Sequence, residues 1–206
     1  MKLLIGVPSL DYVHADFVKS LFALTEKLHR DGTQFDVFMC TGTLVHMARE
    51  NIANQAINKG YTHVLWLDAD MVFTENLLDD LMFCGKGFVS GVCASRRPPY
   101  TLCLFESLEL NHIKKIKELP HEAFRVAGCG FACVLITTEI LKAVVMHHHT
   151  MFLPMQYYGE DLAFCLRAAE LGYEIWAEPT AQLGHIGHNA VWPGDYEKYI
   201  KQAKGD

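Results

Sequence analysis

The apolar run Val64-Leu65-Trp66-Leu67 ends abruptly in Asp68-Ala69-Asp70. Apolar residues at successive positions predict a strand buried on both faces, as in a parallel sheet flanked by helices. Two carboxylates inside such a sheet would be very costly to desolvate, so the strand must leave the sheet where they begin. In open α/β sheets that carboxyl edge is where ligands bind. An extended chain points residues i and i+2 the same way, so Asp68 and Asp70 are expected to converge on one object, with small Ala69 leaving room for its approach. Two hard oxygen ligands suit Mg²⁺ or Mn²⁺, with a phosphate as the companion anion.

The flanking sequence supplies the rest of such a sheet. Strands are predicted at Leu3 to Val7 and Phe35 to Met39, ahead of the strand from Thr62 to Leu67. Between them Phe17, Leu21, Leu24 and Leu28 recur at helical spacing within Asp11–Arg30, and a second helix runs from a Thr43 cap to about Lys59, stopped by Gly60. This β-α-β-α-β order predicts an α/β fold with a mostly parallel central sheet. Further on, a short helix from Thr74 to Phe83 precedes strands at Gly87–Val92 and Thr101–Phe105, and Ser95-Arg96-Arg97-Pro98-Pro99 breaks the pattern between those strands. Asn111–Leu119 reads as a charged, solvent-facing stretch. Arg125-Val126 and Phe131–Thr137 read as strands around Gly128-Cys129-Gly130, followed by a helix from Thr138 to Met146 and a loop at His147-His148-His149. A helix over 161–171 and strands at Tyr173–Ala177 and Ala181–Leu183 follow.

With 206 residues, no linker and no repeat, the expectation is one domain over 1–206, with its core at about 3–188 and a short tail or helix over 189–206. A net charge of −6 gives no nucleic-acid footprint. It also means that an anionic substrate needs local help from a metal or arginines. No apolar segment approaches the ~20 residues of a membrane span, and the apolar start is too short for a signal peptide. Seven cysteines without C-x-x-C spacing predict reduced, packed thiols and a cytoplasmic location, with structural zinc at Cys129 and Cys133 a minor alternative.

Three further features carry chemistry. Glu160-Asp161 opens a helix behind Gly159, where the helix dipole favours carboxylates. The same placement beside a cleft makes a competent general base. In Gly184-His185-Ile186-Gly187-His188, an imidazole beside two carboxylates is a plausible Mn²⁺ ligand, and the flanking glycines favour His185 over His188 by making the backbone exposed and turn-like. Arg49 lies early in its helix, where the dipole gives a cation no reason to be, so an anion-binding role is open to it.

In this order, the Pro8-Ser9 strand end, the Arg49 helix, Leu-Trp-Leu-Asp-x-Asp, Gly-Glu-Asp-Leu-Ala-Phe-Cys-x-Arg and the late His-x-Gly together resemble glycosyltransferases of the GT-A fold. The likeness is to small family-2-like enzymes of bacteria and phages, over roughly residues 3 to 188. The resemblance implies transfer of a hexose from a UDP- or GDP-sugar to a glycan, lipid or protein acceptor, with Mn²⁺ or Mg²⁺ as cofactor. It implies that Asp70 binds the metal with His185 as late ligand, while Asp68 meets the donor ribose or a metal-bound water. Asp161 matches the general base of inverting members, and Glu160 helps place the acceptor. Pro8 and Ser9 match the edge that meets the nucleotide base, Arg49 a residue near the diphosphate, and Gly128 and Gly130 a strand passing close to the sugar. The chain ends soon after the histidine, where most relatives add helices for acceptor or membrane binding.

Two other readings compete. A haloacid-dehalogenase-like phosphatase would use Asp68 as nucleophile, but its Asp-x-Asp strand normally comes first in the fold. A GT-A-like domain could also bind a nucleotide sugar without catalysis.

Overall fold

The computed structural model describes residues 1–187 and 190–204. Its elements are β1 (Lys2–Pro8), α1 (Ala15–Arg30), β2 (Gln34–Cys40), α2 (Val45–Asn58), β3 (His63–Leu67), β4 (Met71–Val72), α3 (Leu77–Phe83), β5 (Phe88–Val92), β6 (Leu104–Glu109), β7 (His112–Lys115), β8 (Phe124–Val126), β9 (Gly128–Cys129), β10 (Cys133–Thr137), α4 (Thr138–His148), α5 (Glu160–Glu170), β11 (Ile175–Gln182), β12 (Gly184–Ile186), β13 (Ala190–Val191) and α6 (Pro193–Lys204). A seven-stranded sheet in the order β2-β1-β3-β10-β5-β11-β8 forms the centre. Strands β1, β2, β3, β5 and β11 run one way, and β10 and β8 run against them. The sheet is therefore mixed, mostly parallel, and flanked by helices.

The apolar run of β3 is buried on both faces, as its sequence predicts. Val64 and Trp66 join Ile52, Ala53 and Ala56 of α2 and the ring cluster of Phe88, Phe131, Phe152 and Phe164. Leu65 and Leu67 face the other way, onto Phe17, Leu24 and Leu28 of α1 and Leu77, Leu78 and Leu81 of α3. Helix α2 lies so close to β1 that a Cβ on Gly6 would stand 2.4 Å from Ile52 Cγ2. Only glycine permits that approach.

Several boundaries differ from those expected. Helix α1 begins at Ala15 rather than Asp11, because residues 9–14 are drawn onto the strand ends instead: Ser9 N–H donates to Cys40 O (3.0 Å) and His14 N–H to Ala69 O (3.2 Å). Leu44, not Thr43, holds the N-cap of α2, and the Thr43 hydroxyl reaches Met47 Sδ at 3.5 Å. The stretch after Asn111 is a strand of a hairpin, β7 paired with β6, and β6 starts later than Thr101. His147 and His148 complete the last turn of α4, and only His149, in the left-handed region with φ 61°, leaves it. The two late strands are one, β11, with a register irregularity between Ala177 and Gln182. Among the described residues no helix is long and apolar enough to cross a membrane.

Candidate functional site

All five co-directional strands deliver polar residues to one edge of the sheet. Pro8 and Ser9 end β1, Thr43 follows β2, Asp68–Asp70 follow β3, Arg96 follows β5 and His185 follows β11. These residues line two adjoining cavities. One of about 520 Å³ is bounded by Pro8, Ser9, Tyr12, Thr43, Asp68 and Ala69. The other, about 760 Å³, is bounded by Ser95, Arg97, Cys103 and His185. His14, Asp70 and Arg96 form the wall common to both.

The chain does not stay extended through the acidic pair. Met71 N–H donates to Asp68 O at 3.2 Å, and this turn sends the two carboxylates to different partners. Asp68 faces Arg49, whose Nη2 lies 3.1 Å from Oδ1 and 3.5 Å from Oδ2. Arg49 is 3 % exposed and spends its other donors on Phe131 O (3.0 Å) and Glu160 Oε1 (3.4 Å). The anion it serves is thus the protein's own. A buried guanidinium flanked by two carboxylates ties the β3 end to the start of α5. Burial still pushes the Asp68 carboxyl above the usual carboxylate range, with Arg49 pulling against it.

Asp70 turns the other way, with Oδ2 2.9 Å from Arg96 Nη1 and 3.4 Å from His185 Nε2. Burial raises its carboxyl, but the hydrogen bond and charge of His185, together with Arg96, outweigh this and hold it low. The imidazole is likewise lowered by burial and raised further by Asp70, so its balance lies above the ordinary histidine value. His185 Nδ1 sits 2.9 Å from Ala94 O, and a carbonyl can only accept. The neutral ring therefore keeps its proton on Nδ1 and presents the Nε2 lone pair to the cavity, the tautomer a metal ligand needs. The backbone here is not an exposed turn. His185 lies in β12, and Gly184 is pressed under Trp192, where a Cβ would meet Cε2 at 2.8 Å. His188 lies outside the described residues.

Asp161 stands at the first turn of α5, its Oδ1 accepting from Leu162 N–H at 2.7 Å. Burial, then the charge of Glu160, raises its carboxyl, against the pull of Leu162 N–H and Arg49. Its other oxygen, Oδ2, lies 3.7 Å from where a Gly130 Cβ would be, so Gly130 packs directly against the carboxylate. Gly130 is held by donating to Cys103 O (2.8 Å), and Cys103 also lines the His185 cavity. Gly128 is different: a Cβ there would strike Leu108 Cδ1 at 2.8 Å, so this glycine serves packing beneath the site.

Pro8, Ser9, Asp68, Ala69, Asp70, Glu160, Asp161, Gly130, His185 and Arg49 are thus brought to one edge. Asp68, assigned above to the metal set, instead faces Arg49. Tyr12, His14, Arg96 and Cys103 were not singled out in the sequence. An arginine pair just past a strand end in an acidic chain was the available signal for Arg96. His147–His149 lie on α4, with His148 Nε2 3.6 Å from Glu170. Cys129 and Cys133 belong to separate strands, and all seven cysteines are free thiols.

No known protein family matches the chain, and no curated protein matches it. Among solved structures, the crystal structure of A197 from STIV superposes with a TM-score of 0.67. That match covers 94% of this chain and 91% of that one at 19% identity. A likeness this distant speaks to the α/β architecture.

Proposed function

We propose that this chain is a GT-A-type glycosyltransferase, transferring a sugar from a UDP- or GDP-sugar to an acceptor hydroxyl with inversion. The observation that carries the reading is the junction of Asp70 and His185, with Nε2 and Oδ2 3.4 Å apart, at the wall between two cavities. One cavity has the apolar and hydroxyl lining that suits a nucleoside, and the other is bounded by Cys103, which packs beside Gly130, with Asp161 on the far side of that glycine.

Among the described residues no three acidic, histidine or cysteine side chains are grouped to hold a metal unaided. Asp70 and His185 are nevertheless the residues that would hold Mn²⁺ or Mg²⁺, a carboxylate and an imidazole suited to such an ion. When bound, such an ion supplies Lewis-acid stabilisation of the charge left on the departing diphosphate. Arg96, 2.9 Å from Asp70 on the wall shared by both cavities, would pair with the donor phosphates. Arg49 keeps Asp68 and Glu160 in place without touching substrate.

In the transfer the acceptor oxygen attacks the anomeric carbon as the bond from that carbon to the diphosphate oxygen breaks. The acceptor proton passes to Asp161 Oδ2. A base whose affinity for protons has been raised by burial is better matched to that task, and general-base catalysis typically contributes ~10²–10⁴ in rate. Asp68 is poorly disposed to act as a phosphatase nucleophile, since both its oxygens are engaged by Arg49.

The test is a panel of UDP- and GDP-sugars with Mn²⁺ or Mg²⁺, read by released nucleoside diphosphate. At least one donor should be turned over. Asp70→Ala should lose the metal-dependent release by 10²-fold or more, a difference of roughly 3 kcal/mol. A fully active Asp70→Ala variant refutes the metal role, and no turnover or binding of any donor refutes the assignment.

A further inference from the structure

Two thiols meet at the floor of the cleft that the transfer chemistry does not use. Ala94 bridges Leu102 in antiparallel register, with Cys103 N–H donating to Cys93 O at 3.0 Å and Ser95 N–H to Thr101 O at 2.9 Å. That register sets Cys93 directly opposite Cys103. Opposed residues on antiparallel strands have Cα atoms about 4.5–5.5 Å apart, inside the roughly 4.4–6.8 Å that a disulfide spans. Both side chains therefore point to the same face of the pair. They differ in access: Cys93 is 4 % exposed, whereas Cys103 lines the cavity with Asp70 and His185.

We propose that Cys93 and Cys103 form a reversible oxidative modification site, Cys103 receiving a peroxide that enters through the cleft and Cys93 resolving it to a cross-strand disulfide. The Cys103 thiolate attacks one peroxide oxygen, breaking the O–O bond and leaving a sulfenic acid and hydroxide. The Cys93 sulfur then attacks the Cys103 sulfur, the S–S bond forms, and the sulfenic oxygen leaves as water after taking up the Cys93 proton. Two thiols lose two electrons and one peroxide becomes two waters. The neighbouring Cys93 thiol, ahead of the charge of Lys115, favours the Cys103 thiolate and holds that thiol down to about 7 despite burial, in keeping with its role as the attacking group. Cys93, buried and pushed up, is the partner that waits. Because Cys103 O also holds Gly130 N–H beside Asp161, the bond would form within the wall of the cleft.

The test needs no assumption about the transferase activity. Folded full-length protein is treated with a small excess of hydrogen peroxide, alkylated and digested with trypsin. Cleavage after Lys86, Arg96 and Lys114 separates the two thiols into peptides 87–96 and 97–114. The expected product is these two peptides joined, lighter by two hydrogens and released by dithiothreitol. In Cys93→Ser the same treatment should leave Cys103 as a sulfenic acid that dimedone labels. Recovery of both cysteines alkylated, or conversion of wild-type Cys103 to sulfinic acid without linkage to Cys93, overturns the proposal. The wild-type measurement decides even if a variant fails to fold.

Discussion

Asp161, the base of the proposed transfer, would serve that chemistry at the expense of stability. Burial and Glu160 raise its carboxyl above the unfolded value, so the folded chain binds the proton more tightly than the unfolded one. Stability therefore falls as pH rises from the unfolded pKa through the folded one, and the whole penalty is present above both. Asp161→Asn removes that charge. It should raise the melting temperature at pH 7.5 by a few degrees, at about 2–4 °C per kcal/mol for a chain of this size. The gain should shrink towards pH 4, where wild type takes up its own proton. Sugar transfer by the same variant should fall by roughly 10²-fold or more. A melting temperature unchanged at pH 7.5, measured by calorimetry, would mean that the carboxylate is solvated rather than strained. Arg49 follows the opposite logic: removing a buried cation strands two carboxylates, so its loss is expected to destabilise the fold as well as the site.

At the scale of elements, α2 connects packing to the site, since the helix that carries Arg49 is seated on β1 through Gly6. Gly6→Ala would bring a methyl to 2.4 Å from Ile52 Cγ2, and the helix has to move outward or the isoleucine turn away. A loss of about 1–3 kcal/mol is expected, measured by urea unfolding, and Ile52→Ala in the Gly6→Ala background should recover part of it. If the double variant is no better than the sum of the singles, the helix is not held by that contact. This seat was not readable beforehand, because a glycine inside an apolar strand does not say which residue of a distant helix approaches it. The strands themselves were readable: β1, β3 and β5 are local apolar runs between turn residues, and burial on both faces is written into consecutive positions, whereas β2, at the sheet edge, leaves Val37 and Met39 exposed. Helix α1 was overextended because Asp11 to His14 carry no breaker, and what stops the helix is a tertiary bond from His14 N–H to Ala69 O. The opposing turn of Asp68 and Asp70 was equally hidden. Local spacing predicts convergence, whereas the partners that separate them, Arg49, Arg96 and His185, come from three other parts of the chain.

For the whole molecule, the decisive property is that residues from every co-directional strand meet at one edge, so a ligand seated there bridges distant segments. Such a ligand binds the folded state only and stabilises it by mass action, about 2.7 kcal/mol at one hundred times its Kd. For a chain of this size that is roughly 5–10 °C in melting temperature. Mn²⁺ together with UDP or GDP should therefore raise the melting temperature by that order, and either component alone by much less, since Asp70 and His185 offer an ion only two side-chain donors. The effect should depend on pH in a defined direction. Asp70 raises the affinity of His185 for a proton, and that proton competes with the ion for Nε2. The shift should accordingly be larger at pH 8 than at pH 6, be abolished by a chelator, and be lost in His185→Ala and Asp70→Ala. A shift of equal size in the chelator would place the nucleotide on the protein without the ion, and the pairing of Asp70 with His185 would then be a structural ion pair alone.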